Sequence, residues 1–374
     1  MYTYYLIAPS PWQGEGGLHY RRHKVTKFLL GLPSTQKVKW IYCIRDETVK
    51  EIQKNVLPNG ICEYGVPSHI SRNKEALFTI IDDELEKETH NILWFTFPEF
   101  SELSELRVWD CITYDCSDLW NKSWTTDEQV DGIPDEMKIF KCADVLVASS
   151  EYLADYIKNV ASRSAHVIEN MVEFERFHLS LPPTETELDH IPYPRLGFVG
   201  GMKEKVDFGL LCSLAEKRSD YNIVLIGPAP FGVPEDLQRL LNFPNVHALG
   251  GRSYDELPNI LYGLNIGLLP YKPMEYNKAV FPEKFFEYLA TDLPMVGSGL
   301  PSTRKYEEEG VYYLAQSNIE DFIKGCEKAL KWEKDNKYIE IRIKKAEKHN
   351  QSHKIKEWVD IVWNTIVSHF TQAK

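Results

Sequence analysis

A chain of 374 residues, 43% hydrophobic and 26% charged, has the make-up of a globular protein with enough length for two cores. Its formal net charge of -12 argues against the phosphate-neutralising surface of a protein that coats nucleic acid, so no nucleic-acid partner is expected. No stretch reaches the ~20 apolar residues of a membrane span. Met1-Tyr-Thr-Tyr-Tyr-Leu-Ile-Ala-Pro9 lacks the basic start of a secretory signal, and the 7 cysteines show neither CxxC nor zinc spacing, which together predict reduced thiols in the cytoplasm.

In chain order, the first strand-like run is Tyr4–Ala8. Behind it Gly14, Gly16 and Gly17 form a flexible loop, and His19, Arg21, Arg22, His23 and Lys24 open a helix. These charges fit either a solvated helix face or a grip on an anionic acceptor. Further runs follow at Val38–Ile44, Ile92–Phe97 and Val108–Tyr114. The last of these leads into Asp115-Cys-Ser-Asp118, two carboxylates at a strand end; Asp118 suits a helix N-cap equally well. Val145–Ala148 precedes Ser149 and Ser150, one of which caps the next helix. His166–Ile168 precedes Asn170, which is expected to shape a turn.

Leu181 to Pro194 holds four prolines and little apolar periodicity, so it reads as a linker. The predicted organisation is an N-terminal domain over 1–180, the linker over 181–194, a second domain over 195–350 and a terminal helix over 351–374. Apolar residues at Ile355, Trp358, Ile361, Val362 and Ile366 give that helix its buried stripe.

In the second half, runs recur at Leu196–Val199, Ile223–Ile226, Val246–Leu249, Ile266–Leu269, Met295–Val296 and Val311–Leu314. Runs that are apolar throughout and alternate with amphipathic stretches imply doubly wound parallel α/β sheets. Gly200 and Gly201 follow the first of them, where backbone can approach a ligand, with Lys203 and Lys205 in reach of a diphosphate. Gly250 and Gly251 follow the third. Arg252 and Tyr254 are then placed for a base or phosphate, and Ser253 with Glu256 fits a capping box. In Lys278-Ala-Val-Phe-Pro-Glu-Lys-Phe-Phe-Glu287, Pro282 suits the first turn of a helix whose amino end attracts phosphate. Lys284 adds a cation there, and Glu287, set among apolar neighbours, offers a carboxylate to two ribose hydroxyls.

These motifs, Gly-Phe-Val-Gly-Gly with Glu204-Lys205-x-Asp207, Leu-Gly-Gly-Arg252 with Glu256-Leu-Pro258, and Pro282-x-Lys284-x-x-Glu287-Tyr-Leu-Ala290, resemble the C-terminal domain of GT-B glycosyltransferases. The resemblance is to the family-4-like, group 1 enzymes, especially those of teichuronic acid biosynthesis. It implies two Rossmann-like domains facing across a cleft, with the C-terminal helix crossing back to the first. It also implies hexosyl transfer with retention from an NDP-sugar, with uridine as the base, and no metal or other cofactor. The implied acceptor is a glycan or lipid-linked sugar in cell-surface polysaccharide synthesis, reached at the inner face of the membrane by peripheral association.

Carried over residue by residue, the donor site comprises Gly200, Gly201, Lys203, Gly251, Arg252, Ser253, Tyr254, Lys278, Val280, Phe281, Lys284 and Glu287. Asp115, Asp118 and Lys205 take the chemistry, while Gly16, Gly17, His19, Arg21 and Arg22 take the acceptor. One departure stands out: the family's first glutamate, eight positions before Glu287, is Ala279 here. That leaves open a silent nucleotide-sugar-binding subunit; an NDP-sugar epimerase of the same architecture is a separate alternative, since fold does not fix function. A dehydrogenase lacks its glycine fingerprint.

Overall fold

The computed structural model describes residues 1–12, 20–123, 125, 126, 128, 129, 135–229 and 232–372. The chain forms two compact units. Met1–Asn121, Gln129–Glu169 and Lys354–Lys374 make the first, and Lys122–Glu128 with Asn170–His353 the second.

The first unit is built on eight strands: β1 (Tyr2–Ala8), β2 (Thr35–Ile44), β3 (Gln53–Val56), β4 (Cys62–Pro67), β5 (His90–Phe95), β6 (Cys111–Cys116), β7 (Val145–Ala148) and β8 (His166–Val167). They lie in the order β3-β4-β2-β1-β5-β6-β7-β8, every neighbouring pair parallel except the β3–β4 hairpin. Tyr4, Leu6, Trp40 and Trp94 are fully buried, as continuous apolar runs demand when both sheet faces are covered. Part of the cover comes from the helix Gln351–Gln372, whose residues from Lys354 onward belong to this unit. Its Trp358 ring lies 4.6 Å from that of Trp94. Its Trp363 stacks on Tyr2 at 5.3 Å and donates its indole N–H to the Tyr4 hydroxyl at 3.2 Å.

The second unit holds β9 (Arg195–Val199), β10 (Asn222–Ile226), β11 (Val246–Gly250), β12 (Ile266–Pro270), β13 (Met295–Ser298) and β14 (Tyr312–Leu314). All neighbours are parallel, in the order β11-β10-β9-β12-β13-β14. This is the doubly wound order of nucleotide-binding sheets, with the strand sequence reversing direction between β9 and β12. Ligands of such sheets sit beyond the carboxyl ends of the strands at that reversal. Leu196, Phe198, Leu225, Leu268, Val296 and Phe322 fill the core beneath it.

Residues 181–194, read from their prolines as a linker, lie within the second unit. Prolines withhold backbone donors, but they do not prevent burial. Leu188 and Ile191 are buried, and the fully enclosed Arg195 donates to the Ile191 and Gly263 carbonyls at 2.7 and 3.1 Å. The units part at Glu169–Asn170, ahead of the prolines.

Candidate functional site

At the carboxyl edge of the second sheet, β11 ends in glycine and β9, β10 and β13 are each followed by one. Gly200 and Gly227 have φ of 138° and 141°, a region closed to most side chains. Gly200 N–H donates to the Ile226 carbonyl and Gly227 N–H to the Gly250 carbonyl, both at 2.8 Å. A Cβ on Gly227 would stand 2.1 Å from the Gly200 oxygen. The glycines therefore let two strand ends close on each other and form a backbone shelf.

Lys284 reaches over this shelf from the helix Lys284–Ala290. Its ammonium would lie 2.6 Å from a Cβ on Gly200. It sits 4.4 Å from the centre of the Phe198 ring and 3.2 Å from the Tyr271 hydroxyl. Enclosure pushes its pKa down from 10.5 to about 8, against the pull of Glu287 and Glu283. A cation kept against aromatic walls with this little compensation favours an incoming anion.

One turn further along that helix, Glu287 is buried, with 6% of its surface exposed. Its Oε1 accepts from the Tyr254 hydroxyl at 3.2 Å. Lys205 lies on the loop after β9, which is stitched to the segment after β12. Asp207 N–H donates to the Pro270 carbonyl at 2.8 Å and Lys272 N–H to the Lys205 carbonyl at 3.1 Å. Asn277, fully buried, donates its amide to the Lys205 and Lys272 carbonyls at 3.1 and 2.9 Å. The Lys205 ammonium stands 5.3 Å over the Tyr276 ring. Lys203 runs its stem alongside Gly201, 3.5 Å from a Cβ placed there.

Other expected donor residues are placed differently. Arg252, expected at a base or phosphate, pairs with Glu187 at 3.1 Å and donates to the Gly251 carbonyl at 3.0 Å. Ser253 does not cap the next helix, which runs Leu257–Leu261 with Glu256 at its cap. Its hydroxyl donates to the Glu256 carboxylate at 2.5 Å, because the turn over 254–256 delays the helix. Gly251 has open space around its Cα. Lys278 is exposed and paired with Glu275 at 2.6 Å. Val280 and Phe281 are buried; Phe281 stacks on Phe286 at 5.4 Å, and the Val280 carbonyl accepts from the Ser302 hydroxyl at 2.5 Å. Pro282 precedes the helix instead of entering its first turn; its carbonyl accepts from Phe285 N–H at 3.1 Å. Ala279 is fully buried.

Asn170 contributes more than the shape of a turn. Its amide donates to the Phe281 carbonyl at 2.6 Å, pinning the segment that carries Lys284 and Glu287. A lone asparagine after a strand has no sequence pattern that announces this.

In the first unit, Arg21 and Asp115 are 4% and 2% exposed, and Arg21 Nε donates to both Asp115 oxygens at 2.9 and 3.1 Å. Arg21 Nη1 also donates to the Glu169 carbonyl at 2.7 Å, and the guanidinium stacks 4.9 Å over Trp358. Both residues, expected at the acceptor, hold the unit's interior together. Asp118 is half-buried in a bend and caps no helix among the described residues. Ser150 is the cap expected after β7, accepting from Leu153 N–H at 3.3 Å. Arg22 lies 4.5 Å over Tyr20. Gly16, Gly17 and His19, like Gly14, lie outside the described residues. Glu136 gives no sequence signal, yet Tyr114 and Cys116 both donate to its carboxylate, and burial pushes its pKa up to about 7. Among the described residues, no group of three or more His, Cys, Asp or Glu is arranged to hold a metal ion, and no helix is long and apolar enough to cross a membrane.

Residues 193–331, which carry this edge, match the family model of glycosyl transferases group 1. Over 364 residues the chain is 34% identical to a Bacillus subtilis (strain 168) protein named "Putative teichuronic acid biosynthesis glycosyltransferase TuaH", covering 90% of this chain and 91% of the relative. The chain belongs to the group 1 glycosyl transferases. Solved structures bear out the GT-B fold of this glycosyltransferase. Sucrose-phosphate synthase from Thermosynechococcus elongatus superposes with a TM-score of 0.73 at 11% identity, over 98% of this chain and 100% of that one. Anabaena HepE, solved with UDP and glucose, gives 0.69 at 12% identity, over 97% and 99%. At such identities the likeness speaks for fold alone.

Proposed function

We propose that this glycosyltransferase takes its sugar from a UDP-sugar bound at the carboxyl edge of the second unit. The sugar passes, with retained configuration, to a glycan or lipid-linked acceptor of a cell-surface polysaccharide. The observation that carries the reading is the Lys284 ammonium, poised over the glycine shelf with Glu287 one turn beyond. In this reading Lys284 and Lys205 meet the diphosphate and Glu287 accepts the ribose hydroxyls. Uridine is supported by the UDP in HepE, and the polysaccharide by the name of the TuaH relative.

During transfer the bond from the anomeric carbon to the β-phosphate oxygen breaks, and one to the acceptor oxygen forms on the same face. The acceptor proton passes to the departing phosphate. Charge gathering on that phosphate is met by cations already in place, the electrostatic preorganisation that lowers such barriers. No metal or other cofactor takes part in this scheme. Asp118, just beyond β6, orients the acceptor hydroxyl in this reading. A lipid-linked acceptor would bring the enzyme to the membrane surface as a peripheral protein.

The test is UDP release from a panel of UDP-sugars, with and without lipid-linked acceptor. Glu287→Ala and Lys205→Ala should each lose most turnover while keeping the wild-type circular dichroism. Near-normal turnover in both would refute the assignment.

A further inference from the structure

The sequence suggests Tyr254 as a platform beside a base, but the structure turns its hydroxyl onto Glu287. We propose that Tyr254 is a positioning residue that aims the Glu287 carboxylate at the pentose and so sets a preference for ribose over 2′-deoxyribose. The inference rests on the reading of Glu287 as the ribose acceptor.

Glu287 and Tyr254 are 6% and 8% exposed, so the O–H···O bond between them is largely shielded from water. A bond from a hydroxyl to a carboxylate is charge-assisted; at 3.2 Å this one is longer than the about 2.5–2.7 Å of the strongest such bonds, so its main effect is on the direction of the carboxylate. A glutamate otherwise keeps several rotamers open; a fixed donor on one oxygen selects among them. The donor itself has little freedom. The Phe177 ring meets it edge-on at 5.3 Å, and the Arg176 guanidinium lies 5.4 Å over its face. Arg176 is in turn bonded to Glu173 at 2.9 Å and to Asp255.

Burial, and after it the negative charge of Glu287 and Glu173, push the Tyr254 phenol far above its ordinary pKa. It therefore stays protonated and remains a donor at any working pH. A carboxylate fixed in this way meets a pair of neighbouring hydroxyls in one geometry. A pentose lacking the 2′-hydroxyl leaves part of a buried charge unsatisfied, and unmet buried acceptors are what make hydroxyl discrimination strong.

The experiment is calorimetric titration of UDP and 2′-deoxy-UDP into wild type, Tyr254→Phe, Glu287→Gln and the double variant, with thermal melts alongside. Wild type should favour UDP by about tenfold. Tyr254→Phe, which keeps the packed ring, should weaken UDP by about tenfold and shrink the preference to about twofold. In the double variant the two losses should not add, as expected for residues acting through one contact. The kcat at saturating donor should fall far less than KM rises. Phe177→Leu, which loosens the seat and spares the hydroxyl, should give an intermediate loss of preference.

If Glu287→Gln binds UDP as wild type does, with the preference intact, the donor-site reading itself falls. If Glu287→Gln loses the preference but Tyr254→Phe and Phe177→Leu keep it, only the positioning role is overturned.

Discussion

Lys284 makes the sharpest quantitative test of the donor site, because its charge is the part of the site that pH can remove. In the unliganded enzyme its pKa is about 8, against 10.5 for an ordinary lysine. A diphosphate favours the charged form, so binding must take up whatever proton the lysine has lost. With a pKa of 8, about nine-tenths of the ammonium is present at pH 7, about half at pH 8 and about a tenth at pH 9. The apparent Kd for UDP should therefore rise about tenfold between pH 7 and pH 9.

Calorimetry in two buffers of different ionisation enthalpy should show about half a proton taken up per UDP at pH 8. The titrations of the nucleotide itself occur with any protein, so Lys284→Met supplies the baseline; in that variant this part of the slope should vanish. The same lysine predicts a stability effect of opposite sense. Its folded pKa lies below its unfolded one, so the charged form weakens the free protein at pH 7. That penalty fades as pH climbs from about 8 towards about 10.5. Lys284→Met should then melt higher than wild type at pH 7, with the gap closing at alkaline pH. An affinity that is flat with pH in wild type, or an equal slope in Lys284→Met, would refute the reasoning.

Further outcomes follow from the geometry. Gly200→Ala puts a methyl where the Lys284 ammonium lies, on a backbone at φ 138°; thermal melts should show a loss of about 1–3 kcal/mol, and UDP titration should show little binding. Asp115→Ala breaks a buried ion pair and should lower the urea midpoint by the equivalent of about 3–5 kcal/mol. Asp118→Ala should stop transfer to acceptor while keeping a higher urea midpoint than Asp115→Ala; equal unfolding midpoints for the two variants would contradict their separate roles. Glu136, pushed up to about 7, loses stability as pH rises from about 4.5 through 7, since only the protonated form suits its site. Glu136→Gln should match wild type in chemical denaturation at pH 4.5 and exceed it at pH 8.

Strands buried on both faces are legible in the sequence, and so are the more exposed β8 and β11. Val145–Ala148 has the bounds its composition suggests, and Ile223–Ile226 extends by one residue to Asn222. Val108–Tyr114 shifts to Cys111–Cys116 because Val108 is 36% exposed and Asp110 turns back to accept from Asn91 N–H. In the β3–β4 hairpin, β3 escapes notice because it is exposed. Gln53-Lys-Asn-Val56 is exposed throughout and has no core to imprint a pattern on it. The linker misreading has the same root: proline content reports which backbone donors are missing, whereas domain membership depends on where Leu188 and Ile191 are buried.

The site divides along a similar line. In the proposed site the glycines at strand ends, Lys284 and Glu287 depend on local chain geometry, a tight turn or one helical turn of spacing, which a sequence displays. The residues whose surroundings a sequence does not reveal are those bonded to a partner far along the chain. Arg252 is tied to Glu187, Arg21 to Asp115, and Asn170 to Phe281. A free cation and a paired one look identical in a sequence. They differ in what they offer a ligand, since a paired guanidinium must first break a charge-assisted bond that an anion only replaces. On that argument Lys284, enclosed by aromatic rings, should respond to a diphosphate far more strongly than Arg252. Arg252→Ala should weaken UDP binding by less than about threefold where Lys284→Met weakens it more than about tenfold. Calorimetry showing the reverse order would place the diphosphate beside Glu187 and away from the glycine shelf.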